Sequence, residues 1–357
     1  MRILYVITRS DWGGAQDNVY KLIKGEVARE NEIYLATGEY GDLNKKVAKL
    51  KNTSFFLLNH LRRQISPVND LLTIFELVRL FWKVRPDVVH IHSSKAGIVA
   101  RLAGVFSSAK IVFTVHGYGY RELNGVKRTV AIFIERFLSL LTDELIFVSR
   151  YDYEAAKKDG ALGRSFKRFH VIYNGLNLSV YTSPRSKTYN ENKKKIVMVA
   201  RFGVPKRQDL LIKAFLKLNS TYQLYFVGEG PNFTQIKEKY QQDSIHYLGF
   251  SEQVNQILKQ MDALILISDF EAFPLSVIEG MATGLPIIAS KVGGIPEAVV
   301  DGENGYLVDN AEEQIVNAIK TVFANETKYK AFAKSSREFS QRFDINTMIS
   351  QTHDVYL

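Results

Sequence analysis

The chain has 357 residues, of which 46% are hydrophobic and 24% are charged, and it contains no cysteine. This length exceeds what one hydrophobic core usually supports, so we expect two folded domains. The lack of cysteine excludes disulfide bridges and cysteine-ligated metals. The sequence shows no secretory leader and no run of eighteen uninterrupted apolar residues. We therefore expect a cytoplasmic protein that does not span a bilayer.

The net charge of +10 belongs to the first half of the chain. Residues 1–180 hold 27 Lys and Arg against 17 Asp and Glu, whereas residues 181–357 hold 20 of each. A basic half favours an anionic partner, such as a membrane surface, a lipid diphosphate or a nucleic acid. We expect no nucleic acid partner because no helix-turn-helix, zinc finger or ribonucleoprotein motif is present. The alternative explanation for the basic charge is compositional drift without a functional role.

Apolar runs of strand length alternate with helical runs along most of the chain. The predicted strands are 3–7, 32–36, 54–58, 88–91, 111–115, 145–148, 170–173, 196–199, 223–227, 245–247, 263–267, 286–289 and 305–308. This βαβ spacing predicts parallel sheets covered by helices. The expected fold class is α/β, with two Rossmann-like domains that face a central cleft and bind ligands at the carboxyl ends of their strands.

The expected domain boundaries follow the interruption of this pattern. Residues 1–182 form the first domain, and the polar, Lys/Asn-rich segment 183–195 is the linker. The second domain covers 196–340. A last helical stretch, from about 310 to 356, breaks near residues 342–344.

Two glutamates mark the most informative part of the sequence. Glu271 and Glu279 lie eight positions apart. Pro274 is predicted at the first helical position, Ser276 and Glu279 have the spacing of a capping box, and Gly284 ends the helix. Glu271 then lies in the loop before the helix and Glu279 lies inside it. Paired carboxylates suit the adjacent hydroxyl groups of a ribose or hexose, and a helix start suits a phosphate.

A glycine pair follows the first strand of the first predicted domain, and a pair of cations follows the first strand of the second. Gly13 and Gly14 precede a helical run beginning near Asn18, and glycines let backbone N–H groups approach a diphosphate closely. Arg201 and Lys206 bracket a tight turn, so both cations can converge on one diphosphate. Alone, each feature is common in ordinary loops.

Three histidines end neighbouring predicted strands. His116 follows the strand at 111–115, at an edge where Rossmann-like domains carry functional groups. His90 and His92 end the preceding strand, but no third ligand lies at a recognisable spacing, so we expect no metal there. The chain also lacks an Asp-x-Asp pair. We expect neither a metal nor another cofactor.

Together these motifs resemble the retaining glycosyltransferases of family 4, which have the GT-B fold. The resemblance covers nearly the whole chain, and it is densest where Glu271, seven residues and Glu279 are followed by a Gly-x-Pro strand. It implies metal-independent sugar transfer from a nucleoside-diphosphate donor with the α configuration kept. It also implies a terminal helix, 341–357, that crosses back to the first domain.

The resemblance further implies roles for individual residues. Arg201 and Lys206 would stabilise the departing diphosphate, Glu279 would hold the ribose, and Glu271 and His116 would orient the donor sugar. The candidate catalytic residues are Arg201, Lys206, Glu271 and His116. The other implied donor-binding residues are Gly13, Gly14, Ser149, Asn174, Gly249, Phe250, Ala272, Phe273, Pro274 and Leu275.

Segments 92–97 and 116–128 resemble family members that build bacterial capsules, exopolysaccharides or O-antigens. This resemblance implies a saccharide acceptor carried on a polyprenyl diphosphate at the inner membrane face, and a UDP-hexose or UDP-N-acetylhexosamine donor. GDP-mannose is the alternative donor. Segments 71–85 and 130–141 combine apolar and basic residues and could contact an anionic membrane surface. The alternatives from other classes are a non-catalytic sugar-nucleotide-binding regulator, an epimerase and a phosphorylase.

Overall fold

The computed structural model describes residues 1–163, 166, 168–181 and 193–357. The chain forms two compact units. The first comprises Met1–Gly175 and Ile345–Leu357, and the second comprises Leu176–Asp344. Each unit is a parallel sheet with helices packed on it, which confirms the predicted α/β class.

The sheet of the first unit has seven strands within the described part of the chain, in the order β3-β2-β1-β4-β5-β6-β7. The strands are β1 (Arg2–Ile7), β2 (Glu32–Thr37), β3 (Thr53–Leu57), β4 (Val88–His92), β5 (Lys110–Val115), β6 (Glu144–Phe147) and β7 (Phe169–Val171). The helices between them are α1 (Gly14–Ala28), α2 (Asp42–Val47), α3 (Pro67–Val84), α4 (Ser94–Gly104), α5 (Gly125–Ser139) and α6 (Arg150–Asp159). All the strand pairs are parallel.

The sheet of the second unit has six strands among the residues described, in the order β10-β9-β8-β11-β12-β13. They are β8 (Lys194–Val199), β9 (Tyr222–Val227), β10 (Ile245–Tyr247), β11 (Ala263–Leu266), β12 (Ile287–Ser290) and β13 (Gly305–Val308). The helices are α7 (Gln208–Phe215), α8 (Phe233–Lys239), α9 (Val254–Leu258), α10 (Leu275–Thr283), α11 (Ile295–Ala298), α12 (Glu312–Val322) and α13 (Glu326–Ser340). The chain then returns to the first unit as α14 (Ile345–Tyr356).

Both faces of the first sheet are buried, which explains why its strands are almost continuously apolar. In β1, Leu4 and Val6 pack on the face covered by α3, α4, α5 and α6. Ile3, Tyr5 and Ile7 point to the opposite face, which is covered by α1, α2 and α14. The helix α14 therefore completes the core of the first unit.

The predicted strands are all present, with ends shifted by at most two residues. The helix α1 begins at Gly14 rather than near Asn18, because Gly13 already supplies the extended N-cap residue. Of the expected linker, residues 183–192 lie outside the described residues, and Lys194 and Lys195 belong to β8. The first stretch of the first compact unit ends at Gly175, whereas the first domain was predicted to extend to residue 182.

The C-terminal helical stretch is interrupted twice. A short 3-10 turn, Gln341–Phe343, precedes α14 at the predicted break. A second interruption, which the sequence did not indicate, separates α12 from α13. No helix in the described ranges is long and apolar enough to cross a membrane.

Candidate active site

Five loops meet at the carboxyl edge of the second sheet, because parallel strands end at the same side. They follow β8, β9, β10, β11 and β12 and cover residues 200–207, 228–232, 248–253, 267–274 and 291–294. The structure thus brings Arg201, Lys206, Glu271 and Gly249 to one edge within the second unit.

The loop after β8 is anchored by Phe202. This side chain is fully buried and its ring contacts Phe226 and Phe233, with ring centroids 5.5 and 5.0 Å away. Its backbone N–H donates to the carbonyl of Glu229 over 3.0 Å. The anchored backbone leaves Arg201 exposed, and within the described residues the Arg201 guanidinium has no ion pair.

The central contact of the site is an ion pair between Lys206 and Glu271, which are far apart in the sequence. The Glu271 carboxylate is almost buried, with 8% of the residue exposed. Lys206 reaches it because its backbone pairs with that of Ser268 in an isolated bridge. An ammonium has three N–H donors, so the bond to Glu271 leaves two for another acceptor. A carboxylate likewise accepts several bonds, so both groups keep capacity for a ligand.

The loop that carries Glu271 is fixed by neutral polar groups. Ser268 donates its N–H to Ser290 Oγ over 2.9 Å and its hydroxyl to the carbonyl of Pro205 over 3.2 Å. Asn310 Nδ2 donates to the carbonyl of Ser268 over 3.1 Å. The sequence does not mark Ser290 or Asn310 as site residues, since isolated Ser and Asn residues form no pattern.

Two glycines, Gly293 and Gly294, pack against the backbone of the same loop. The N–H of Gly294 lies 3.2 Å from the carbonyl oxygen of Glu271 and 3.1 Å from that of Ala272. Gly293 has a φ of +57°, and a Cβ at this position would lie 1.6 Å from the carbonyl oxygen of Glu271. The backbone of Glu271 can pack here only against glycine. The glycine pair is visible in the sequence, but its spacing does not reveal this partner.

The prediction that α10 begins at Pro274 was wrong by one residue. Pro274 is the N-cap residue, with ψ of 121°, and not the first helical residue. The fixed φ of proline is compatible with both positions, and here the chain turns helical only at Leu275. Ser276 lies inside the helix, and no side chain caps it, so there is no capping box. Gly284 ends the helix at φ +76°, as predicted.

Glu279 lies inside α10 and Glu271 lies in the loop before it, as predicted. The Glu279 carboxylate accepts a hydrogen bond from the Tyr181 hydroxyl over 3.0 Å. Nothing in the sequence indicated that Tyr181 belongs here. Between the two glutamates, Phe273 is buried and packs against Phe343.

The loop after β10 lies beside the loop after β9. Gly249 has a φ of +70°, and its carbonyl accepts the N–H of Gly228 over 2.7 Å. The N–H of Phe250 donates to Glu229 Oε1 over 3.4 Å, and 60% of this residue is exposed. An exposed aromatic ring at this edge can stack on a planar ligand.

In the first unit, Gly13 and Gly14 form the start of the fifteen-residue helix α1. Gly13 is extended, with φ of −170°, so the backbone does not itself require glycine. A Cβ on Gly14 would meet nothing within 4 Å. The open space above the first-turn N–H groups suits the approach of an anion.

Ser149 and Asn174 have structural partners. Ser149 is the N-cap of α6 and accepts the N–H of Asp152 over 3.1 Å. The Asn174 side chain accepts from Asn18 Nδ2 over 3.0 Å and so connects the end of the sheet to α1. Capping and docking account for these contacts, and a donor-binding role for either residue stays a prediction.

His116 is the half-buried member of a histidine cluster whose other members, His90 and His92, are fully buried. Its Nε2 lies 3.0 Å from Nδ1 of His92. The neighbouring His90 contacts the Tyr356 hydroxyl over 2.6 Å and the Thr114 hydroxyl over 2.7 Å. Burial lowers the pKa of His116 to about 4 and that of His90 to about 3, and it lowers the pKa of His92 well below its usual value. His116 is therefore a neutral hydrogen-bonding group at pH 7.

The histidine cluster predicts a pH-dependent stability. Unfolded histidines take up protons below about pH 6.5, whereas His90 and His116 stay neutral down to about 3 and 4 in the folded protein. The unfolded state then binds more protons, so the free energy of unfolding should fall as the pH drops from 6.5 towards 4. Urea denaturation at a series of pH values should show this slope, and His90→Asn should flatten it. An equal slope in both proteins would contradict the assignment.

Within the described ranges, no group of three or more His, Cys, Asp or Glu side chains is placed to hold a metal ion. Neutralisation of an anionic ligand by Lys206 and Arg201 stays a prediction.

The two parallel α/β units have the architecture of the GT-B fold class, and comparisons with known proteins give the family. Residues 12–180 match the model described as Glycosyltransferase Family 4, and residues 181–339 match Glycosyl transferases group 1. These matches cover most of the chain. The chain therefore belongs to glycosyltransferase family 4.

Curated relatives align along most of their length. The O-antigen biosynthesis glycosyltransferase WbnH of Escherichia coli is 29% identical over 329 residues, which is 91% of each chain. The UDP-Gal:alpha-D-GlcNAc-diphosphoundecaprenol alpha-1,3-galactosyltransferase of the same organism is 28% identical over 85% of this chain and 83% of its own.

Among solved structures, Anabaena Alr3699/HepE in complex with UDP and glucose superimposes with a TM-score of 0.83 at 22% identity. The match covers 99% of this chain and 98% of that one. The likeness confirms the GT-B fold.

Proposed function

We propose that the protein transfers a hexose or N-acetylhexosamine from a UDP-sugar, with retention of configuration, to a saccharide carried on a polyprenyl diphosphate. The observation that carries this proposal is the Lys206–Glu271 pair at the carboxyl edge of the second sheet, beside the exposed Arg201. It combines cations for a diphosphate with a carboxylate for sugar hydroxyl groups.

The proposed chemistry follows from where charge develops. When the sugar–phosphate bond breaks, negative charge grows on the departing diphosphate, and Lys206 and Arg201 stabilise it there. Glu271 keeps Lys206 in place and orients the hexose. Glu279, held by Tyr181, binds the ribose hydroxyl groups. Because side chains supply the positive charge, transfer needs no divalent metal.

Retention is assigned to attack of the acceptor on the face that the diphosphate leaves. The leaving phosphate then takes the proton of the attacking hydroxyl, so no nucleophilic side chain is required. His116, neutral at pH 7, donates or accepts a hydrogen bond to the donor sugar rather than acting as a cation.

The choice of donor and acceptor is supported by related proteins. HepE has been solved with UDP and glucose, and the second relative is named as a UDP-Gal-dependent enzyme acting on a diphosphoundecaprenol-linked sugar. WbnH is named for O-antigen biosynthesis. The basic first half of the chain suits a lipid diphosphate acceptor. We therefore place the protein in cell-surface polysaccharide synthesis, with GDP-mannose as the alternative donor.

A thermal-shift panel tests the proposal. UDP-, GDP- and ADP-sugars are added at about 100 times their dissociation constant, where a specific ligand stabilises the folded state by about 2.7 kcal/mol. We expect UDP-sugars to raise the Tm by several degrees, equally with excess EDTA and with magnesium. If the shift required a divalent metal, the proposal that Lys206 and Arg201 neutralise the diphosphate without a metal would be refuted. If no sugar nucleotide produced a shift, the proposed function would be refuted.

Transfer is then assayed with a lipid-linked saccharide acceptor and a labelled donor. A regulator would bind the donor without transfer, and an epimerase would release an isomerised sugar nucleotide without any acceptor.

A further inference from the structure

One face of α5 exposes a continuous apolar stripe. Its members recur at alternating steps of four and three positions, so they lie on one side of the helix. They are Val126, Val130, Phe133, Phe137 and the C-cap residue Leu140, with between 51% and 80% of each residue exposed. The opposite side of α5 packs on the core of the unit through the half-buried Ala131 and Ile132. Leu138 of the same helix is also buried. The exposed stripe is therefore additional to what packing of the unit requires.

A second exposed apolar stripe runs along α3, which packs on the same face of the sheet. It comprises Val68, Leu71, Leu72, Phe75 and Trp82. The helix α4 lies between α3 and α5 and contacts both. The outward side chains of α4, Ile98 and Leu102, are half-buried and apolar, so they continue the surface between the two stripes. We call the outer surface of α3, α4 and α5 the helical face.

The exposed charged side chains of the helical face are predominantly basic. Two of the three carboxylates on these helices have cationic partners within the unit: Asp70 pairs with Lys95, and Glu135 pairs with the buried Arg101. The third, Glu76, is half-buried and hydrogen-bonds to the His60 ring. Exposed cations remain around the apolar stripes. Arg79, Lys83, Lys127 and Arg136 have no ion pair among the described residues. The helical face thus presents apolar side chains among exposed cations, whereas the carboxylates of its three helices are buried or half-buried.

We propose that the helical face docks onto the surface of an anionic lipid bilayer. Exposed apolar stripes among basic residues are typical of helices that lie in the membrane interface. Anionic headgroups complement the cations, and each Lys or Arg near such a surface strengthens binding about 5-fold. A second copy of this chain would complement the apolar stripes but would bring Lys127 and Arg136 against like charges.

The position of the helical face deepens the proposed function, on which this part of the inference rests. Both α3 and α5 begin near the carboxyl edge of the first sheet, where ligands bind in such units. A pocket of about 490 Å³ lies at that edge. Arg62 and Arg63, just before α3, line it together with Thr8 and Gly38, which follow β1 and β2. Docking through the helical face brings this basic pocket to the headgroup level, where a lipid diphosphate lies.

Vesicle co-sedimentation of the full chain tests the proposal without donor or acceptor. We expect binding to vesicles of equal parts phosphatidylglycerol and phosphatidylcholine, little binding to pure phosphatidylcholine, and weakening as salt is added. The double variant Phe133→Ser/Phe137→Ser should bind at least 10-fold more weakly. Its matched control, Tyr40→Ser/Phe55→Ser, removes two exposed aromatic rings outside the helical face and should bind as the unchanged protein does.

The cations are tested in the same way. Lys127→Gln/Arg136→Gln should weaken binding about 30-fold, whereas Lys49→Gln/Lys51→Gln, in the exposed turn before β3, should have little effect. Equal losses in the target and control variants would overturn the proposal, as would no binding to anionic vesicles. Self-association that the Phe133→Ser/Phe137→Ser variant abolishes, without vesicle binding, would assign the face to a second copy. All variants should keep the UDP-sugar thermal shift, so failure of docking and failure of the proposed function are separate results.

Discussion

Changing Lys206 to alanine should weaken the binding of the sugar-nucleotide donor by about 10- to 150-fold. The range corresponds to one charge-assisted hydrogen bond, worth about 1.5–3 kcal/mol. The loss should lie towards the upper end, because the substitution also leaves the nearly buried Glu271 carboxylate without its cation. Arg201→Ala removes an exposed cation with no such partner and should lie towards the lower end. Calorimetric titration with the donor identified by the thermal-shift panel measures both.

Arg207 provides the matched control in the same loop. Its guanidinium is engaged by Asp209 and Asp269, each over 3.2 Å. Arg207→Ala should therefore change donor affinity by less than about 3-fold, since partly exposed ion pairs contribute little. Equal losses for Arg207→Ala and Lys206→Ala would mean that the loop responds only to total charge, and Lys206 would lose its assigned role.

The second large effect is expected at Gly293. Alanine here adds a Cβ that would lie 1.6 Å from the carbonyl oxygen of Glu271, so the loop bearing Glu271 must move. Donor affinity should fall at least 10-fold, because the carboxylate and its ion pair with Lys206 are displaced together. The φ of +57° adds strain of about 1–2 kcal/mol for any residue with a side chain.

Gly302→Ala separates the clash from the strain. Gly302 has a similar φ of +78°, but a Cβ there meets nothing within 4 Å. It should lower the free energy of unfolding by about 1–2 kcal/mol and leave donor affinity unchanged. Denaturation curves and calorimetry on the pair of variants give both quantities. If Gly293→Ala bound the donor as tightly as Gly302→Ala does, the Glu271 loop would not be part of the donor site.

The strands were predictable because each is a short apolar run with helical sequence on either side. Strands such as β1 are buried on both faces, and burial demands apolar residues wherever the side chain points. The carboxyl-edge loops followed from the order of strands and helices. The resemblance to the family singled out Arg201, Lys206 and the two glutamates within them.

The contacts inside the site were not predictable in the same way. Lys206 contacts Glu271 because β8 and β11 are neighbours in the sheet. The local spacing of residues does not reveal the order of the strands. Tyr181 and Asn310 reach the site through side-chain hydrogen bonds, which leave no periodic signal in the sequence. The capping-box expectation failed at Ser276, because a Ser-x-x-Glu spacing also occurs within helices.

The return of α14 to the first unit affects how the chain is completed during synthesis. The second unit lies within the first in sequence, and its two ends are joined where the N–H of Leu176 donates to the carbonyl of Phe343 over 2.8 Å. All of its residues have been made once residue 344 is added. The first unit still lacks Met348, Val355 and Tyr356 of its core at that moment. Domains usually fold from the N-terminus onwards during synthesis. Here we expect the opposite for the final step, because the unit that is begun first has its core completed last.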